Sequence, residues 1–374
     1  MGGNQISDHA ERLARARAVL RARGLDAFLA GPSADLFWLV GYRAPALERL
    51  TMLVVPAEGD ATLVVPELEA PRAAASPAPD VADVVTWPES GDPVGEVRSS
   101  LVRAEVPGDA VLAVQDRLWS MFLLQLQDAL PAARWRTGRD VSRDLRLRKT
   151  PAEVNLLRAA AAAIDRVHAR VPHFVRPGRT EAQVGRDIAE AILEDHDQVN
   201  FVIVASGPNG ASPHHEAGDR VLQDGDAIVV DIGGTRAGYC SDMTRDYVLG
   251  RIPDGYAELH GVLEEAQRAG VDAIRAGVAA EEIDHTCRSI IAAGGYGELF
   301  THRTGHGIGV EEHEDPYLVA GNDEPLESGM AFSVEPGIYV PGRYGARIED
   351  IVVVTESGAE RLNRLDRGIV EVGG

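Results

Sequence analysis

Four carboxylates and one imidazole stand in short, separate segments of the C-terminal half. They are Asp231 in Val-Val-Asp-Ile-Gly-Gly, Asp242 in Cys-Ser-Asp-Met-Thr-Arg, His306 in Thr-Gly-His-Gly-Ile-Gly, Glu335 in Ser-Val-Glu-Pro-Gly and Glu349 in Ala-Arg-Ile-Glu-Asp. An oxygen-rich set with one nitrogen suits a pair of hard or borderline divalent cations such as Mn²⁺, Co²⁺ or Fe²⁺. A paired site of that kind clamps both the attacking and the leaving oxygen of a hydrolysis. The residue types therefore point to metal-dependent hydrolysis.

Each residue has a local context that matters. Asp231 closes the apolar run Ala227–Val230, and a carboxylate beside a buried strand needs a partner or a cation. Asp242 lies on the next expected strand, beyond a Gly- and Thr-containing turn, so a hairpin would bring the two aspartates together. His306 sits between Gly305 and Gly307, which permit close backbone approach. Glu335 ends the run Met330–Val334, and Glu349 precedes Ile351–Val354. Arg347 is two residues before Glu349, on the same face of a strand, placed to orient or neutralise a carboxylate. Asp350 faces the other way. His214 in Ser-Pro-His-His-Glu and His313 in Glu-Glu-His-Glu-Asp-Pro are not needed as ligands, and either suits a substrate carbonyl or a tetrahedral intermediate. His215 is the weaker of its pair. Taken singly, Asp231 or Asp242 is more often a surface aspartate and Arg347 an ordinary ion pair; the ordered set gives them weight. Cys240 reads as a buried, inert residue, with oxidative sensitivity as the alternative.

The elements that must carry these residues divide at residue 146. Residues 1–146 alternate strands and helices, an α/β pattern. A helix is expected over 7–23 with Ser7 or Asp8 as cap, then strands at Asp26–Ala30, Met52–Val55, Thr62–Val65 and Val81–Thr86, the middle two as a hairpin. Helices near 93–105 and 119–129 and strands at Ala110–Val114 and Arg134–Arg136 follow, with Ala70–Asp80 as a surface loop. Residues 147–374 open on Thr150-Pro151-Ala152-Glu153, a capping box with proline in the first helical position. That helix runs to about Val171, and a second box at Thr180 to Gln183 opens one to about Asp195. Strands at 200–205, 226–232 and 238–248, helices near 254–276 and 280–293, and strands near 302, 330–334 and 346–354 make this part α+β.

Bulk properties narrow the function. The chain has 374 residues, 37 basic against 58 acidic, and a net charge of −21. That excess disfavours nucleic acid and anionic membranes as partners. No apolar run approaches the roughly 18 residues of a bilayer span. Cys240 and Cys287 cannot form a disulfide framework, and the first residues carry no signal-peptide core, so a cytoplasmic protein is expected.

The five ligand segments, in this order, resemble the metallopeptidases of the methionine aminopeptidase, prolidase and aminopeptidase P clan, which share the pita-bread fold. The stretch Arg148-Lys149-Thr150-Pro151-Ala152-Glu153 resembles the catalytic-domain entry of the prolidase and aminopeptidase P subgroup, and residues 1–146 resemble its creatinase-like N-terminal domain. The resemblance implies two divalent metal ions, Mn first, with Co, Zn or Fe as alternatives. It implies that Asp231 chelates one metal, that Asp242 and Glu349 bridge, and that His306 and Glu335 complete the second. Glu335 would also handle the proton of the attacking water, with His214, His313 and Arg347 on the substrate side. The implied reaction is hydrolysis of Xaa-Pro bonds by a homodimer, as an Xaa-Pro dipeptidase or, alternatively, an aminopeptidase P. A creatinase-like amidinohydrolase or a binding module on the same fold is the remaining alternative, against which the intact ligand set counts. One departure stands out: many prolidases carry arginine shortly after the second histidine, whereas this chain reads His313-Glu314-Asp315-Pro316-Tyr317. Arg43 and Arg49 are candidates for the missing carboxylate anchor, by way of the partner subunit's N-terminal domain.

Overall fold

Strand and helix alternate along the first part because short, largely apolar runs are punctuated by helices. The computed structural model describes residues 2–373, with side chains from residue 8 onward, in two compact units, Met1–Arg146 and Leu147–Gly374. In the first unit α1 (Gly2–Arg23) leads into β1 (Ala27–Ala30), α2 (Ala34–Val40), β2 (Met52–Pro56), β3 (Thr62–Pro66), α3 (Ala70–Ala74) and β4 (Asp83–Trp87). Next come α4 (Pro93–Arg103), β5 (Val111–Val114), α5 (Ser120–Ala129), β6 (Arg134–Thr137) and α6 (Arg139–Arg146). The sheet order is β4-β3-β2-β1-β5-β6, with β2 and β3 as the expected hairpin, Met52 opposite Val64. Leu29, Val54 and Leu112 pack under Val97, Leu101 and Leu126 of α4 and α5.

Some expectations fail here. Helix α1 begins at Gly2, ahead of the cap expected at Ser7 or Asp8; the Ser7 side chain lies outside the described residues. Ala70–Asp80 lies at the surface as expected but is not an irregular loop, since helical turns cover Ala70–Ala74 and Ala78–Asp80. Pro71 sits in the first turn of α3, alanine adds no side-chain entropy cost, and Ala73 and Ala78 are fully buried. Helix α2 is apolar apart from Asp35 and has no helical periodicity; its ends mark it, since Ser33 accepts from the Leu36 N–H and Gly41 takes the left-handed conformation at φ 72°.

The second unit opens as the capping box requires. The Thr150 hydroxyl accepts from the Glu153 N–H and the Glu153 carboxylate accepts from the Thr150 N–H, starting α7 (Pro151–His168). That helix stops short of Val171 and continues as a separate turn, α8 (Val171–Phe174). The second box, at Thr180, starts α9 (Glu181–Leu193). Three long strands follow, β7 (Gln198–Ser206), β8 (Ala227–Arg236) and β9 (Tyr239–Leu249), then α10 (Tyr256–Ala273) and α11 (Ala280–Ala293). The remaining strands are short: β10 (Gly305–Gly307), β11 (Glu314–Leu318), β12 (Ala331–Val334), β13 (Gly337–Val340), β14 (Tyr344–Arg347), β15 (Asp350–Val354), β16 (Ala359–Arg361) and β17 (Val370–Val372). They form one sheet ordered β17-β9-β8-β7, a second ordered β11-β10-β12-β15-β16, and the hairpin β13-β14. Ile164, Val184 and Ile188 of α7 and α9 cover the first sheet, while Leu263, Ile283 and Ile291 of α10 and α11 pack on Phe332, Val334 and Val352 of the second. The second unit is α+β and the first α/β, as expected. The strand expected near 302 lies at Gly305–Gly307, and the strand expected over 346–354 is broken into β14 and β15, which belong to different sheets.

Candidate metal centre

Period-two alternation places the first two carboxylates. In β8, Ile228, Val230 and Ile232 point to α7 and α9, and Met243 and Tyr247 of β9 join them there. Asp231, Asp242 and Thr244 therefore share the other face. The antiparallel register sets Asp231 opposite Thr244 and Gly233 opposite Asp242, so the aspartates are diagonal neighbours. Asp231 lies within β8 rather than at its end, since the strand continues to Arg236.

The second sheet supplies the rest. A methyl group on Gly305 would collide with the Ser333 carbonyl oxygen, and one on Gly307 with the Asp315 carbonyl, so glycine on both sides lets the His306 strand fit between its neighbours. His306 Nε2 lies 3.1 Å from Glu335 Oε1 and 3.7 Å from Asp242 Oδ2. The Ser333 hydroxyl accepts from the His306 N–H at 3.0 Å and donates to Glu335 Oε1 at 2.9 Å, tying the two together. Glu349 sits in the break between β14 and β15. The Thr244 hydroxyl donates to Glu349 Oε2 at 2.7 Å, and buried Arg245 holds the Glu349 carbonyl at 2.7 Å while pairing with Asp350 at 2.6 Å. Asp350 faces away from the centre, as expected.

Arg347 orients a carboxylate, as expected, and that carboxylate is Asp231. Its Nη2 donates to Asp231 Oδ2 at 2.6 Å, its Nε to the Thr244 hydroxyl at 3.2 Å and its Nη1 to the Tyr339 hydroxyl at 2.8 Å. It holds Asp231 by a hydrogen bond and shares the Thr244 hydroxyl with Glu349. Thr244 was legible, being two residues from Asp242 on one strand. Tyr339, which also bonds His302 Nε2 at 2.8 Å, was not: its place depends on the β13-β14 register, which no local signal announces.

Ligand atoms of Asp242, His306 and Glu349 all lie within 4.8 Å of one another. Asp231 Oδ1, Asp242 Oδ1 and Glu349 Oε1 are buried without a hydrogen-bond donor. Each such orphan costs about 1–3 kcal/mol, and a cation is what would satisfy several acceptor-only oxygens at once. Burial, then the charges of Glu349, Asp231 and Glu335, push the Asp242 carboxyl well above its ordinary value. Burial, then Glu335 and Asp231, does the same to Glu349. Burial also opposes the charged form of Glu335, but the attraction and hydrogen bond of His306 outweigh it and hold that carboxyl down at about 2. The donor set fits divalent cations: oxygen-rich, crowded and unsatisfied.

A pocket of about 720 Å³ opens onto all five of these residues, and His214, His313 and Arg347 line it too. The His313 ring packs on that of His306, with centroids 4.0 Å apart. His215 turns away: its Nε2 lies 2.7 Å from Glu181, a buried carboxylate that also accepts from Ser206 and Asn209 and pins the loop carrying His214. Arg49 is committed to Glu89 at 2.8 and 3.0 Å, and Arg43 lies 3.8 Å over the Phe37 ring. Cys240 is buried beside Leu157 and Ile308, and burial pushes its thiol up to about 12. Lys149, the lone lysine, is buried against Glu314 at 2.6 Å, next to His313; composition gave no hint of that.

Comparison with known proteins agrees with the geometry. Residues 155–356 match the model of metallopeptidase family M24, and residues 12–148 match the creatinase/prolidase N-terminal domain. A probable dipeptidase PepE of Mycobacterium bovis is 50% identical over 367 residues, spanning 97% of this chain and 96% of its own. The crystal structure of dipeptidase PepE from Mycobacterium ulcerans superposes with a TM-score of 0.91 at 51% identity, covering 98% of both chains. An Xaa-Pro dipeptidase from Bacillus anthracis gives 0.88 at 30% identity, over 97% of this chain and 100% of its own. With a matching catalytic model, a matching N-terminal model and relatives alike over nearly their whole length, the chain belongs to metallopeptidase family M24.

Proposed function

We propose that this metallopeptidase is an Xaa-Pro dipeptidase working with two divalent ions, manganese first among them, as a homodimer in the cytoplasm. The observation that carries the reading is the inward row of buried oxygens without donors on Asp231, Asp242 and Glu349. The dipeptidase names of relatives about half identical to it favour a dipeptide over a longer peptide. Two buried, free cysteines suit a reducing compartment. In this reading residues 1–146 form the N-terminal domain and 147–374 the catalytic one.

Asp231, Asp242, His306, Glu335 and Glu349 would hold the ions, with Asp242 and Glu349 shared between them. Bound there, divalent ions polarise the scissile carbonyl and make water nucleophilic at neutral pH. Arg347 fixes one oxygen of Asp231 and leaves the other facing the centre. Thr244 does the same for Glu349. Glu335, steadied by Ser333, takes the proton of the attacking water and passes it towards the leaving proline nitrogen. His214 and His313, on the pocket wall, donate to the carbonyl oxygen as it gains charge.

The test is a product assay on metal-stripped protein, with and without Mn²⁺, on Ala-Pro and Ala-Pro-Ala. Proline release from the dipeptide, dependent on Mn²⁺, is expected. Efficient release of Ala from the tripeptide would make the enzyme an aminopeptidase P, and no metal-dependent cleavage of either would overturn the reading.

A further inference from the structure

We propose that Arg303 is the residue that recognises the free carboxylate of the dipeptide, in the place left by Tyr317. This rests on the Xaa-Pro dipeptidase reading and names its anchor. Two arginines line the pocket, Arg303 and Arg347. Arg347 is spent: it is buried and holds Asp231, Thr244 and Tyr339. Arg303 is half-buried and forms no ion pair with a carboxylate among the described residues. Its guanidinium lies 4.5 Å over the Tyr317 ring, and its Nη2 is 3.5 Å from His313 Nδ1. Tyrosine therefore does not replace the lost arginine in kind. It supplies a face over which another arginine, ten residues before His313 in the chain, is held with no carboxylate on its fork.

The reach is right. In Xaa-Pro the free carboxylate follows the scissile carbonyl by one residue, about 3.3–3.6 Å of extended chain. His313 packs on His306 at 4.0 Å, and Arg303 Nη2 lies 3.5 Å from His313 Nδ1. A cation one side chain beyond the metal centre meets a dipeptide's carboxylate. A tripeptide's carboxylate is carried one residue farther on, and an amidated dipeptide offers no charge. A planar fork takes both carboxylate oxygens at once.

The experiment measures binding and turnover separately. Binding of Ala-Pro and of Ala-Pro amide to metal-stripped protein is measured by calorimetry for wild type, R303Q, R303K, R43A and R49A. Wild type should prefer the dipeptide to its amide by about tenfold to a hundredfold, the worth of a charge-assisted bond. R303Q should lose that preference while binding the amide as wild type does, R303K should keep part of it, and R43A and R49A should keep all of it. Thermal stabilisation of R303Q by Mn²⁺, equal to that of wild type, checks that the centre is intact. Equal binding of dipeptide and amide by wild type overturns the proposal. So does a preference that survives in R303Q, or one lost in R43A or R49A instead. Turnover by the Mn²⁺-loaded wild type decides the dipeptidase reading on its own: failure to cleave Ala-Pro sinks that reading whatever the binding shows.

Discussion

Replacing Asp242 by asparagine should stabilise the metal-free protein and destabilise it relative to wild type once metal is added. Asp242 and Glu349 have ligand atoms within 4.8 Å of each other and of His306, in a buried site. At an effective dielectric of about 20, two unit charges at that distance repel by about 3.5 kcal/mol. Retaining a proton on one carboxyl relieves part of this, and both carboxyls are pushed upward by burial and by their neighbours. A folded value raised above the unfolded one gives stability that is full below about pH 4 and is lost as pH rises towards the folded value. The benefit of Asp242→Asn is therefore least near pH 4 and grows with pH, to about 1–3 kcal/mol at pH 8. A gain of 2 kcal/mol corresponds to about 4–8 °C in melting temperature for a domain of this size.

Adding Mn²⁺ reverses the order. At a hundred times its Kd, an ion that binds only the folded state adds about 2.7 kcal/mol per site. In the proposed two-ion reading wild type would gain this at both sites, whereas Asp242→Asn would have lost a ligand to each. Scanning calorimetry on both proteins, in chelator and in Mn²⁺, at pH 6 and 8, reads the crossing directly. If Asp242→Asn melts below wild type in chelator as well, the carboxylates are not strained against each other. The cluster would then be a satisfied hydrogen-bond network, not a centre built for cations.

Other expectations test the surrounding structure. His168 is buried, bonded to the Tyr247 hydroxyl at 3.0 Å and the Met243 carbonyl at 2.9 Å, and burial lowers its value to about 3. The unfolded chain binds its proton from about pH 6.5 downward, so acidification to pH 5 should cost about 2 kcal/mol, and His168→Gln should flatten that limb in urea titrations. Burial pushes both thiols up to about 12, so Cys240 and Cys287 should stay unreactive to a thiol reagent at pH 8 until the protein unfolds. Peroxide should accordingly inactivate wild type and Cys240→Ser alike. Thr150→Ala removes one half of the capping box and should cost about 1 kcal/mol by urea titration, without changing Mn²⁺ binding.

How much of the site a sequence reveals depends on the range of the force that fixes each piece. The capping boxes at Thr150 and Thr180 were legible because donor and acceptor lie within four residues of each other. Parity made Asp231 and Asp242 neighbours, because a tight hairpin leaves one register once an apolar face must be buried. The failures came where the apolar pattern ran without a period, as in α2, or where alanine and proline were taken for loop, as in α3.

The partner of Arg347 is the most instructive detail: Arg347 was expected to orient a carboxylate and it does, but the shared strand with Glu349 on which that expectation rested does not exist. Two residues apart on one strand, Arg347 and Glu349 would have shared a face. The chain instead leaves the β13-β14 hairpin at Arg347 and enters another sheet at Asp350, so Glu349 belongs to neither strand. Non-local bonds hold it there: Arg245, a strand away, takes the Glu349 carbonyl, and Thr244 takes its carboxylate. Both come from β9, the strand that carries Asp242. One strand thus supplies a ligand candidate and clamps another, while Arg347 is left for Asp231. A centre assembled this way should lose its order as a unit. Thr244→Val should perturb Mn²⁺ affinity through Glu349 and Arg347 together, and the effects of Thr244→Val and Arg347→Met should fall well short of additive. Additive effects of the two in a double-mutant cycle would show that Thr244 does not couple them.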